Sequence, residues 1–252
     1  MERYGMFMNQ TIKELMERKS VRVYEERRIE PEKKKIILQA ALQAPTAGNM
    51  TLYSIIDVTD QKLKDKLSET CDNQPFLAKA PLVLVFAADC QRWYDLFCSH
   101  EEEVRRPGMG DLLLAVDDTL IAAQNAVTAA QSMGIGSCYI GDIMENYEIH
   151  KELLGLPRYA VPAAMVVFGY PTRQQKERNK PKRLNPEAVV FENSYRRLSP
   201  VEFEEELNKS QGREENFSAW VKAFCKRKWN SDFSVEMSRS VKAMTEAWEK
   251  ED

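Results

Sequence analysis

The sequence predicts an α+β fold, with helices flanking a central mixed, mainly antiparallel sheet. Three observations carry this expectation. Continuous apolar runs such as "PLVLVFAA" and "AAMVVFGYP" are short enough to be buried strands. They alternate with helical patterns, but irregularly, as in a domain whose helices pack on a sheet rather than wind around it. No GxGxxG follows the first strand, and no P-loop pattern occurs, which disfavours a dinucleotide-binding βαβ domain.

The elements follow in order. Residues 9–19 place Ile12, Leu15 and Met16 at helical spacing, so a helix leads into the basic stretch "RKSVR". "IEPEKKKIILQAALQA" begins a second helix at Pro31, a residue favoured in the first turn. Pro45 halts it, and "PTAGN" is a loop whose Gly48 and Asn49 tolerate unusual backbone angles. "LYSIIDV" reads as a strand, "TDQKLKDKLSE" as a helix and "PLVLVFAA" as a buried strand. "GDLLLAVDDTLIAAQNAVTAAQSMGIG" is the longest helix, about 111–133, apolar nearly all round and expected to be central and buried. Asp117, Asp118, Gln124 and Asn125 interrupt it, against a membrane span.

"GSCYIG" and "AAMVVFGYP" read as further buried strands, separated by the helix "MENYEIHKELLG". "PTRQQKERNKPKRLNP" holds six cations, one acid and three prolines in sixteen residues, the composition of an extended surface loop. "AVVFENSY" reads as a strand beyond it. The tail from residue 200 is charged and helical in pattern, with Trp220, Phe224, Trp229 and Trp248 as anchors.

At 252 residues the chain can bury a sizeable core. Its formal net charge of −3 offers no broad cationic field for nucleic acid or a membrane surface. The N-terminus "MERYGMFMNQ" lacks a sustained apolar core, so no secretory signal is read there. Five scattered cysteines without metal-ligand spacing fit reduced thiols in a cytoplasm and neither a disulfide framework nor a zinc site. The two histidines, His100 and His150, have no nucleophile or carboxylate pattern of a hydrolase around them.

Four stretches in order, "RKSVRVY", "AALQAPTAGN", "MGIGSCYIGDI" and "KPKRLNPEAVVFENSY", resemble the FMN-dependent nitroreductase family, and most closely its larger, NADPH-preferring nitroreductase and flavin reductase group. The resemblance covers most of the chain. It implies an FMN-binding domain over 1–195 and a helical C-terminal extension over 196–252 that wraps the partner of a homodimer. It places Arg18 and Ser20, with Lys19 beside them, on the FMN phosphate and ribityl chain, and Arg22 near the pyrimidine edge. Charge-assisted hydrogen bonds suit a phosphate dianion, and a cation near the pyrimidine edge favours anionic reduced flavin.

Pro45, Thr46 and Asn49 match the family's loop on the isoalloxazine or ribityl, often across the subunit boundary. Gln74 matches an amide at the flavin edge. Tyr139, Gly141 and Asp142 match the segment whose backbone lies against the flavin face, with Asp142 replacing a second glycine. Arg183 matches a late phosphate-binding arginine, and Lys182, or Lys180 in its place, substitutes for the lysine that Pro181 displaces. The remaining cations of that loop, Arg173, Lys176 and Arg178, read as solvated surface.

The implied chemistry is ping-pong hydride transfer from NADPH or NADH to FMN, then two-electron reduction of nitroaromatics, quinones or flavins, with no catalytic side chain. The alternative is a flavin store or redox sensor, for which Cys138 is a candidate thiol. Gln211 stands where the NADPH-preferring relatives carry an arginine. Arg213 or Lys209 offers a replacement cation, and Glu214 and Glu215 oppose a 2′-phosphate.

Overall fold

Four strands, β1 (Tyr53–Asp57), β2 (Leu82–Asp89), β3 (Gly136–Ile140) and β4 (Ala160–Gly169), form one antiparallel sheet in the order β1-β2-β4-β3. The computed structural model describes residues 7–212 and 216–250. β2 and β4 are buried along their whole length, which is why both read as continuous apolar runs instead of alternating ones. Their register shifts between Phe86 and Ala87, an irregularity of the kind that bends a strand.

One face of the sheet is covered by α2 (Pro31–Leu42) and α6 (Met109–Ser132) around Phe86, Val166 and Phe168. Leu67 of α3 (Gln61–Thr70) and Leu77 of α4 (Pro75–Ala78) pack with Val83, Val85, Met165 and Val167 on the other. α5 (Gln91–Cys98) follows β2, and α7 (Tyr147–Leu153) follows the 3₁₀ turn Gly141–Met144. His150 of α7 is buried and lies 2.9 Å from the Ile143 carbonyl and 2.8 Å from the Thr70 hydroxyl, so it is a satisfied core residue.

α6 is less buried than its composition suggests. Leu112, Ala115, Thr119, Ala122, Ala126 and Ala130 face the sheet, but Leu113, Leu114, Leu120 and Ile121 are exposed. The small alanines let the helix lie close to the sheet, and the large apolar residues fall on its other side at a seven-residue spacing.

The chain divides into two compact units, 1–178 with 235–252, and 179–234. Within the second, α9 (Pro200–Gln211) starts with a capping box of Ser199 and Glu202, which satisfies two end donors reciprocally. α10 (Phe217–Lys228) buries no residue, and Phe224 stacks on Trp220 at 5.2 Å. Residues 235–249 of α11 (Asp232–Glu249) belong to the first unit, where Ser240 donates to the Met144 carbonyl at 2.7 Å and buried Trp248 donates to Pro107 at 3.0 Å.

Four expectations are corrected. Residues 189–195 form no strand: Val189, Val190 and Tyr195 are exposed and pair with no neighbour strand among the described residues. α8 (Arg173–Glu177) interrupts the expected loop, and Arg173 pairs with Glu177 at 2.6 Å. Of the tail aromatics, Trp248 is an anchor, whereas Phe224 and Trp229 are exposed. Lys176 and Arg178 are not merely solvated, as the site below shows.

Candidate active site

The stretch "RKSVRVY" is positioned by two bare strand positions. α1 (Gln10–Glu17), capped by Asn9 on the Ile12 N–H at 2.9 Å, ends at Arg18, whose backbone turns extended. The chain then lies along β3: Val21 N–H donates to Ser137 at 2.9 Å and Ser20 bridges Ser137 in parallel. Gly136 and Gly169 face each other across β3 and β4. A Cβ on Gly136 would lie 2.5 Å from Val21 Cγ2, and one on Gly169 2.5 Å from Tyr24 Cδ1. The segment rests where side chains would stand. Gly136→Ala is therefore expected to cost about 1–3 kcal/mol, because branched, buried Val21 has no room to retreat. Thermal melting checks this beside Gly155→Ala, where a Cβ meets nothing within 4 Å but φ is +61°, so that any loss there is backbone strain alone; a Gly136→Ala protein that melts as wild type does would refute the contact.

The cations of this segment differ in fate. Lys19 donates to the carbonyl of Lys176 at 2.6 Å and to that of Arg178. Arg178 in turn donates to the Ser20 carbonyl at 2.7 Å, and Lys176 pairs with Glu25 at 2.9 Å. Lys19 thus locks the segment to α8. Arg22 is exposed; its N–H reaches Gln175 Oε1 at 3.4 Å and its guanidinium lies 5.9 Å from the Phe76 ring centre. Arg18 is half-buried, 5.9 Å from the Tyr139 ring centre, and its Nε is buried without a hydrogen-bond partner. It lines a small depression with Glu14, Leu15, Thr128 and Gln131.

The end of β3 completes this side. Tyr139 donates to Gln124 Oε1 at 3.3 Å, and burial pushes its hydroxyl up to about 12, with Arg18 opposing. A Cβ on Gly141 would meet nothing within 4 Å, so the space before it is open. Asp142 and its neighbours are acidic: burial, then Asp142, Asp72 and Glu236, pushes Glu145 up to about 7. Gln74 directs its amide to the Cys71 carbonyl at 2.9 Å. Cys138 is buried, and that burial raises its thiol above the ordinary value against the pull of Arg22; a protonated, covered thiol is a poor redox sensor.

Pro45, Thr46 and Asn49 lie elsewhere on the molecule. Their loop is tied to Asp118 of α6, which accepts from Thr46 Oγ1 and from Ala47 N–H at 2.9 Å. The thirteen residues from Asp118 to Gln131, beside Arg18, rise about 20 Å along a helix. One chain therefore brings Arg18, Ser20, Arg22, Tyr139 and Gly141 together, with Gln74 close by through Phe76, and leaves the loop 45–49 apart. Lys182 and Arg183 are exposed residues of the second unit. Lys209 pairs with Glu206 at 2.7 Å; Arg213, Glu214 and Glu215 lie outside the described residues.

Sequence reasoning missed two contributors. Asp118 was visible only as a polar break in an apolar helix, and Gly136 only as a small residue opening a strand. An acid at a position facing the core was the available signal for the first.

The arrangement offers cations beside an open backbone face, with an arginine N–H that nothing in the described chain meets. Such a constellation can hold a phosphorylated planar cofactor: FMN fits it. The nitroreductase family model matches residues 15–170. The chain is 34% identical over 190 residues to an FMN reductase [NAD(P)H] of Bacillus subtilis, covering 75% of each chain. It is also 34% identical over 192 residues to an oxygen-insensitive NADPH nitroreductase of Salmonella typhimurium, covering 76% of this chain and 77% of the relative. The solved NADPH:FMN oxidoreductase of Vibrio harveyi, complexed with NAD⁺, superposes with a TM-score of 0.79 at 28% identity, over 94% of this chain and 98% of that one. With a match across more than half its length and relatives above 30% identity, the chain belongs to the nitroreductase family.

Proposed function

We propose that the protein is an FMN-dependent NAD(P)H oxidoreductase that reduces small electron-poor acceptors such as nitroaromatics, quinones or free flavin. The observation that carries this reading is the buried, unmatched Nε of Arg18 beside Tyr139 and the open face at Gly141. When bound, FMN supplies the two-electron chemistry, accepting hydride from a nicotinamide and delivering it to the acceptor. The chain holds the phosphate with Arg18 and Ser20, and Arg22 places positive charge at the ring edge, where it favours the anionic reduced form. Lys19 acts behind them, fixing the segment to α8. No nucleophile or general base is required of the protein, consistent with a His150 held in the core.

The reading includes a homodimer. The exposed Leu113, Leu114, Leu120 and Ile121 of α6 give a second copy an apolar stripe to cover, and two-fold pairing would carry the loop 45–49 of one subunit toward Arg18 of the other. The C-terminal extension, 196–252, contributes to that partner contact. Free cysteines throughout suit a reducing cytoplasm. Preference between NADPH and NADH turns on the segment around Gln211.

Purified protein reconstituted with FMN is expected to hold about one FMN per subunit, and its visible absorbance to bleach when NADPH or NADH is added under nitrogen. The faster nucleotide defines the preference. Protein that binds FMN but bleaches with neither nucleotide would refute the reductase reading.

A further inference from the structure

The loop between α2 and β1 is held in a conformation its residues disfavour. Gly48, Asn49 and Thr51 have φ of +56°, +59° and +54°. For Gly48 this is easy, and for Asn49 tolerable, but a β-branched threonine in the left-handed region is a genuine outlier. Such strain persists only where the surroundings over-determine it, and it collects at functional sites.

What over-determines it here is one carboxylate. Asp118, 3% exposed on α6, accepts from Thr46 Oγ1, from Ala47 N–H at 2.9 Å and from Leu52 N–H at 3.2 Å. Thr46 Oγ1 in turn accepts from Thr51 N–H at 2.7 Å. The hydroxyl and carboxylate together bracket the strained residues from both sides. Asp118 and Leu52 are buried and Thr46, Ala47 and Thr51 partly so, and loss of the carboxylate leaves its donors unmet.

We propose that Asp118, acting through Thr46, is the positioning residue that presents the loop 45–49 to the flavin. This rests on the reading that the loop lies against FMN. It also gives α6 two tasks, since the helix that carries the exposed Leu120 and Ile121 also carries the carboxylate that shapes the loop. Thr46 would then serve the flavin by holding the backbone as well as by any contact of its own.

The test measures FMN affinity by flavin fluorescence on FMN-depleted protein, with thermal melting and the visible band of the bound flavin as parallel readouts. Asp118→Asn keeps the volume but replaces one acceptor oxygen with a donor, and is expected to weaken FMN about tenfold and shift the flavin band. Thr46→Val, which keeps the shape, should act in the same direction if Asp118→Asn folds poorly. Thr51→Gly added to Asp118→Asn should recover most of the affinity, because glycine occupies positive φ without strain.

Asp89→Asn is the structural control. Asp89 is also buried, and its carboxylate accepts from Ser54 at 2.5 Å and Gln91 N–H at 3.0 Å but from no residue of 45–52; its backbone N–H, which asparagine keeps, donates to the Leu52 carbonyl at 2.9 Å. It should lower the melting temperature while leaving FMN affinity within about twofold. If Asp118→Asn binds FMN as wild type does, or if Asp89→Asn weakens FMN equally, the clamp is refuted. If wild-type protein takes up no FMN, the flavin reading beneath it fails instead.

Discussion

Replacing Arg18 with alanine is expected to raise the FMN dissociation constant about 100-fold, while leaving the FMN-free protein as stable as before or more so. The two effects share one cause. Arg18 is half-buried and its Nε has no partner. A charge-assisted hydrogen bond to phosphate is worth about 1.5–3 kcal/mol, and an unmet buried donor costs about 1–3 kcal/mol. Truncation therefore removes a liability from the free protein and a contact from the complex. Arg18→Lys keeps the charge but not the planar fork, so it should fall between wild type and alanine. Arg22 is exposed over Phe76; its alanine variant should affect affinity less and lower the flavin potential more. Titration with FMN and melting of the FMN-free protein read both sides of the argument. An Arg18→Ala protein that melts several degrees lower yet binds FMN within twofold of wild type would make Arg18 a structural residue.

The contrast between Arg18 and Lys19 marks what a sequence can carry. Both are cations in one five-residue stretch, and nothing in their order tells them apart. They diverge because the chain turns extended at Arg18 and lays Lys19 against the carbonyls of Lys176 and Arg178, residues distant in sequence. The four strands were readable because β2 and β4 are buried on both faces and leave continuous apolar runs. α6 was readable as a helix but not as half-exposed, since its alanine face and its leucine face are both apolar. The expected strand at 189–195 failed for the opposite reason: its residues favour extended backbone, but a strand also needs a neighbour. Gln74 was readable as a loop amide, whereas its bond to the Cys71 carbonyl depends on the turn that only the fold supplies.

The distance between Arg18 and the loop 45–49 leads to the last expectation. Arg18 and Ser20 sit by the C-terminal part of α6 and the loop 45–49 by Asp118. A helix is too stiff to fold these onto one ligand, so either the loop is not part of the site or a second copy supplies it. A heterodimer separates these cases. Chains carrying Arg18→Ala and chains carrying Asp118→Asn are co-expressed with different tags, and the doubly tagged species is isolated. If each site draws Arg18 from one subunit and the loop from the other, both lesions fall in one site and the second is wholly wild type. About half the sites should then bind FMN with wild-type affinity, although neither homodimer has any such site. If the site is built within one chain, each chain carries one lesion and no wild-type class of site is regained. A titration that shows only weakened sites, one class about tenfold and one about 100-fold, would thus remove the second copy from the site, and the open stripe of α6 would lose its role in completing it.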